Sequence, residues 1–146
     1  MKVSTRGRYG LRIMMELALR EGAGPVQVTA VARNQGLPAK YIHVLVGGLK
    51  AAGLVTAQRG PSGGLELARE ASRITALDVV EALEGPVRPV DCDAGPEGCK
   101  RSDACVTREV WREMGEAMEA VLRRHTLADL AERMRAASAG GDAWMI

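Results

Sequence analysis

The sequence predicts a mainly α-helical chain with one small β-hairpin. Apolar residues recur at helical spacing in several stretches. Aromatics are scarce (two Trp, two Tyr, no Phe), so Leu, Val, Ile, Met and Ala must fill the core. That composition favours helices over a β-sandwich. Gly and Pro cut the chain into short segments, one of which alternates around a tight turn. At 146 residues and 47% apolar, the chain suits one domain, or a small domain with an extension.

The elements follow in order. Residues 6–21 place Leu11, Met14, Met15, Ala18 and Leu19 on one helical face, and Gly22 to Pro25 end that helix. Thr29 is the expected cap of a short second helix that Gly36 stops. Pro38 suits the first turn of a third helix running to Gly53, where its missing N–H costs nothing. Ile42, Leu45, Val46 and Leu49 form its inner face; Lys40, His43, Gly47 and Lys50 form its outer face. Gly47 and Gly48 are costly mid-helix, up to about 1 kcal/mol each, and suggest close approach of another backbone. LVTAQ and LELA flank RGPSGG and read as a β-hairpin. Thr75 caps a helix over 76–84 that Gly85-Pro86 stops. Residues 85–104 are loop-like, and residues 106–125 are strongly helical. Thr126 caps a last helix over 127–137, and residues 138–146 form a tail.

Charge is divided along the chain. Residues 1–64 carry nine Lys/Arg against two acids, or +7; residues 65–146 carry eleven against sixteen, or −5. A polyanion partner is expected for the first half alone. Two helices joined by a tight Gly-containing turn, then a hairpin with a basic tip, make a winged helix–turn–helix. A helix fits the major groove, and Arg59 on a Gly-rich turn can enter the narrow minor groove. The expected division is a DNA-binding unit over 1–84, a cysteine loop over 85–104, a dimerisation helix and C-terminal helix over 105–137, and a tail over 138–146. No apolar run reaches the ~18 residues of a membrane span. The first residues lack a secretory apolar segment, so the expectation is a cytoplasmic protein with no membrane partner.

The long helix carries Val106, Val110, Trp111, Met114, Ala117, Met118, Val121 and Leu122 on one stripe. Such a stripe covers either the winged unit or a second chain. The first three helices already supply a core, so a homodimer is expected through Val110, Trp111, Met114, Met118, Val121 and Leu122. Two recognition helices ~34 Å apart would then meet successive major grooves of a palindromic operator.

In this order, MKVSTRGRYGLRIMMELAL, GLPAKYIHVLVGGLKAAGLV, RGPSGG and ITALDVVEALEGP resemble the Rrf2-type transcriptional regulators, the group of IscR, NsrR and CymR. The similarity runs from Met1 to about Leu130. It implies a dimeric winged-helix regulator whose recognition helix and wing arginine contact DNA. Those roles fall on Pro38, Ala39, Lys40, Tyr41, His43 and Val44, and on Arg59. Lys2, Ser4 and Arg6 at the N-terminus, with Gly60, Ser62 and Gly63 at the wing tip, complete the expected DNA-binding set. His43 and Val44 stand where IscR-like members carry Glu-Gln, and Pro38 where they carry Ser. A donor His cannot reproduce a carboxylate's contact to a cytosine amine, so a different operator is expected.

All three cysteines, Cys92, Cys99 and Cys105, fall in CDAGPEGCKRSDAC. In a reducing compartment such a cluster suggests metal or redox chemistry more than a disulfide. Six and five intervening residues are loose for a zinc knuckle. The pattern is similar to the three-cysteine loop of the family, which implies an iron–sulfur cluster, of 2Fe–2S type, on these thiolates. Its fourth ligand is open, because Arg108 and Arg8 occupy the positions where relatives place a His or an acid. A thiol-redox or zinc loop, and cysteines with no sensing role, are the alternatives. Catalysis is not expected: there are two His, no nucleophile elbow and no P-loop.

Overall fold

Among the described residues, six helices and one hairpin follow in the order α1 (Thr5–Leu19), α2 (Val28–Gln35), α3 (Ala39–Ala51), β1 (Val55–Gln58), β2 (Gly64–Leu67), a 3-10 turn (Ala71–Arg73), α4 (Ala76–Glu84), α5 (Thr107–Arg123) and α6 (Leu127–Ala139). The computed structural model describes residues 3–60, 62–91 and 104–139. The fold is therefore mainly helical with a two-stranded wing, as the composition implies.

Ile13, Met14 and Leu17 of α1 meet Ile42, Leu45 and Leu49 of α3 in one buried core, closed by Val31, Leu54, Leu65, Ile74 and Val79. The inner face expected for α3 is buried residue for residue, and the outer face is exposed. Leu127 and Ala131 of α6 also belong to this core, so the last helix covers the N-terminal unit.

Two reciprocal caps hold α6 there. The Thr75 hydroxyl accepts from the Asp78 N–H at 3.2 Å, while the Thr75 N–H donates to the Asp78 carboxylate at 2.7 Å. Thr126 and Asp129 repeat the exchange at 3.1 Å in both directions. The two cap residues pair as an antiparallel bridge: Ala76 N–H donates to the His125 carbonyl, and Leu127 N–H to the Ile74 carbonyl, both at 2.8 Å. Thr75 and Thr126 therefore cap as expected.

Two other cap expectations are corrected. α2 begins at Val28 behind Gln27, so Thr29 lies inside the helix and caps nothing. The cause is long-range. Val26 N–H donates to the Leu65 carbonyl at 2.9 Å and Leu65 N–H returns to Val26 at 2.8 Å. That bridge holds the chain extended until Gln27, and the helix starts at once. Pro38, expected in the first turn of α3, is instead its N-cap with ψ 136°, and its carbonyl accepts from Tyr41 and Ile42.

Leu83 of α4 is wedged between two helices. A Cβ on Gly10 of α1 would collide with its Cδ1, and one on Gly48 of α3 would lie 3.0 Å from its Cδ2. Close approach of a neighbouring helix thus explains Gly48 and not Gly47, whose Cβ would meet nothing within 4 Å.

The long helix α5 touches the rest of the chain along a narrow seam. Met118 and Leu122 pack half-buried on Leu77, Val80 and Val87. Gly115 sits on Pro89, whose Cδ would be 3.2 Å from an added Cβ. Val110, Trp111, Met114 and Val121 remain exposed. Ion pairs join Arg112 to Glu109 and Glu116, and Arg123 to Glu119, along the helix.

Candidate nucleic-acid interface and cysteine loop

α3 presents Ala39, Lys40, His43, Val44, Gly47 and Lys50 to solvent, with Pro38 exposed at its head. Val44, an aliphatic residue 57% exposed, stands among them with no core to cover. Tyr41 is half-buried because its ring takes the edge of Tyr9, centroids 6.3 Å apart at 87°. Arg8 and Arg12 lie 5.8 and 5.4 Å from the Tyr9 centroid, within cation–π range. Tyr9 of α1 is thereby set beside the first turn of α3.

A polar network fixes α1 to α2, the first helix of the pair. The buried Glu16 carboxylate accepts from Asn34 Nδ2 at 2.6 Å and Gln35 Nε2 at 2.9 Å. Arg12 Nε donates to the Gln35 Oε1 at 2.8 Å. A buried carboxylate needs such donors. Periodicity alone does not signal the network, since its members lie 18 to 23 residues apart.

The wing pairs Val55 with Leu67 through Gln58 with Gly64. Gly64 lets the backbone of Val26 come within 2.6 Å of where its Cβ would be, which anchors the hairpin on the Val26 bridge. At the tip Gly60 has φ 109°, a conformation L side chains rarely adopt. Gly63 N–H closes the turn on the Gly60 carbonyl at 3.0 Å. Arg59, Gly60 and Ser62 are exposed and Gly63 is half-buried. Pro61 lies outside the described residues.

At the N-terminus, Ser4 caps α1 by accepting from Arg6 N–H at 3.0 Å. Its own hydroxyl donates to the Glu84 carboxylate at 3.0 Å, so that proton is committed. Arg6 is exposed, and Lys2 lies outside the described residues. The structure thus places α3, the wing and the start of α1 on exposed ground.

Of the three cysteines, Cys92 and Cys99 lie outside the described residues. Cys105 is a half-exposed free thiol before α5, which starts at Thr107, two residues later than a helix beginning at Cys105. Its Sγ lies 3.2 Å from the Thr107 hydroxyl. That hydrogen bond first, then the Arg108 backbone N–H, holds the thiol below its ordinary range. Such a thiol suits metal ligation. Among the described residues no group of three His, Cys, Asp or Glu gathers as a metal site, and no helix is long and apolar enough to cross a membrane. In the α5 stripe, Met118 and Leu122 face their own chain, leaving Val110, Trp111, Met114 and Val121 as the outward set.

Comparison with known proteins agrees across sequence and structure. A family described as iron-dependent transcriptional regulators matches residues 3–133. Protein rrf2 of Nitratidesulfovibrio vulgaris is 41% identical over 130 residues, covering 89% of this chain and 87% of that one. The regulator CymR of Bacillus subtilis is 43% identical over 131 residues, 90% of each. The solved structure of CymR, the global cysteine regulator of B. subtilis, has a TM-score of 0.75, covering 91% of this chain and 98% of its own at 41% identity. IscR of T. potens gives 0.74 at 37% identity, covering 91% and 88%. The chain belongs to the Rrf2 family of winged-helix transcriptional regulators.

Proposed function

We propose that the chain is a homodimeric, sequence-specific DNA-binding regulator that reads a palindromic operator and senses its signal through Cys92, Cys99 and Cys105. The observation that carries this reading is the exposed basic face. Lys40, His43 and Lys50 of α3, Arg59 of the wing and Arg6 of α1 all face solvent in a half of net charge +7. His43 and Val44 touch base edges, Lys40 and Tyr41 hold phosphates, and Arg59 enters the minor groove. The dimer forms through Val110, Trp111, Met114 and Val121, whose exposure on one helix leaves an apolar band with no cover among the described residues.

The cysteines suit an iron–sulfur cluster of 2Fe–2S type: three thiols in one loop, one of them held below its ordinary range beside the Thr107 hydroxyl. When bound, such a group supplies one-electron chemistry and sensitivity to oxygen or nitric oxide. The chain's part is linkage. Ligand binding in the segment between α4 and α5 biases the spacing of the two recognition helices. A coupling of about 1–3 kcal/mol changes DNA affinity about 5- to 150-fold. The lowered thiol of Cys105 also supports a second reading, a switch by direct thiol oxidation.

Anaerobic reconstitution with iron and sulfide, followed by DNA titration of loaded and cluster-free dimers, tests this. About two iron and two sulfide per chain, with visible absorption lost in Cys99→Ala, supports the cluster reading. Equal operator affinity of the two forms refutes the linkage. Absence of iron uptake together with oxidant-sensitive DNA binding selects the thiol switch.

A further inference from the structure

The last residue of α4, Glu84, reaches the start of α1 across 80 residues of sequence. Its Oε1 accepts from Ser4 N–H at 3.1 Å, from the Ser4 hydroxyl at 3.0 Å and from Gly7 N–H at 2.9 Å. One carboxylate oxygen therefore gathers three donors. Two are backbone N–H groups at the beginning of a helix, where no intrahelical acceptor exists and negative charge is favoured. Gly7 is required for this. A Cβ there would collide with the Glu84 carboxylate. Ser4 completes the bracket by capping Arg6 N–H, so the backbone that carries Arg6 is tied at Ser4, Arg6 and Gly7.

Arg6 and Arg8 are exposed on that turn. The Tyr9–Tyr41 contact sets the residue that follows Arg8 beside the head of α3. We infer that Glu84 is a positioning residue for DNA binding: its carboxylate fixes the first turn of α1 so that Arg6 meets a phosphate beside the recognition helix. The inference rests on the proposed DNA-binding face. Glu84 itself touches no DNA. An acid this close to a phosphate site also repels the duplex, but its charge is offset by the helix-start N–H groups that donate to it. Positional order, three short hydrogen bonds to one oxygen, is the larger effect.

The experiment is a double-mutant cycle of Glu84→Ala and Arg6→Ala in the intact dimer, with Glu84→Gln as the conservative variant. Operator affinity is read across a salt series, and melting temperature is read in parallel. Glu84→Ala is expected to weaken operator binding about tenfold and to flatten the salt dependence by about 0.9 for each phosphate that Arg6 no longer neutralises. In the Arg6→Ala background it is expected to add less than about twofold, because both changes remove the same interaction. Glu84→Gln keeps an acceptor oxygen and is expected to stay within about threefold of the parent. A purely structural role lowers the melting temperature of Glu84→Ala with affinity and salt slope unchanged, and that result overturns the inference. So does tighter binding by both Glu84 variants, which makes the acid a repulsive element. Unchanged binding by Arg6→Ala removes the inference together with this part of the DNA-binding face. Arg6 dependence with Glu84 indifference removes the inference alone.

Discussion

Gly47 and Gly48 are neighbours in one helix, yet replacing each with alanine has opposite expected effects. Alanine is about 0.8–1.0 kcal/mol better than glycine inside a helix. At Gly47 the added methyl meets nothing within 4 Å, so the full propensity gain is realised. Gly47→Ala is expected to stabilise the chain by about 0.8 kcal/mol and raise its melting temperature by about 2–4 °C. At Gly48 the methyl arrives 3.0 Å from Leu83 Cδ2 and 3.5 Å from the Ala82 carbonyl oxygen. Leu83 has no room to turn, because its Cδ1 already fills the space left by Gly10 and the side chain is 4% exposed. Overpacking of this kind costs about 1–3 kcal/mol, which exceeds the propensity gain. Gly48→Ala is therefore expected to lose up to about 2 kcal/mol net. Urea denaturation of the two variants and the parent measures both changes. Equal stabilisation by the two alanines would refute the wedge of Leu83 between α1 and α3.

Other outcomes follow from the same geometry. Trp111→Glu places a charge in the exposed apolar band of α5 and is expected to yield monomers by light scattering with unchanged helical circular dichroism. Asp129 is held below its ordinary value, chiefly by the Thr126 hydroxyl and then by its N–H. A depressed carboxylate contributes stability that is present above the unfolded value and lost as pH falls through the folded one. Asp129→Ala is thus expected to melt earlier than the parent at pH 7, with the gap closing below about pH 4 in a series of thermal melts. Selection of duplexes from a random pool is expected to return an operator that changes at one symmetric base pair in His43→Glu, where an acceptor replaces a donor.

Local chemistry carried much of the fold. Gly36 takes φ 63° after α2, Thr75 and Thr126 cap their helices, and Gly85-Pro86 ends α4, because these are properties of single residues and near neighbours. What the sequence concealed is long-range. Thr29 is an acceptable cap by type, but the Val26–Leu65 bridge fixes where α2 begins. Glu84 follows a plain helical pattern, and nothing local signals its reach to Ser4. Met118 and Leu122 share a stripe with Trp111, and only the position of α4 shows that they face inward. On the candidate face, exposure of α3 and Arg59 was legible from periodicity and the Gly-rich turn. The Arg12–Gln35–Glu16–Asn34 network was not, since it joins two helices through side-chain amides.

Binding to a footprinted genomic operator, followed by fluorescence anisotropy across rising salt for the parent and Arg59→Ala, tests the dimeric DNA-reading account most directly. The account predicts two chains per operator and an affinity that falls steeply with salt, by about 0.9 in log–log slope per neutralised phosphate. It also predicts that Arg59→Ala weakens binding most where the minor groove is narrow. Single chains with salt-independent or undetectable binding to every duplex would contradict it.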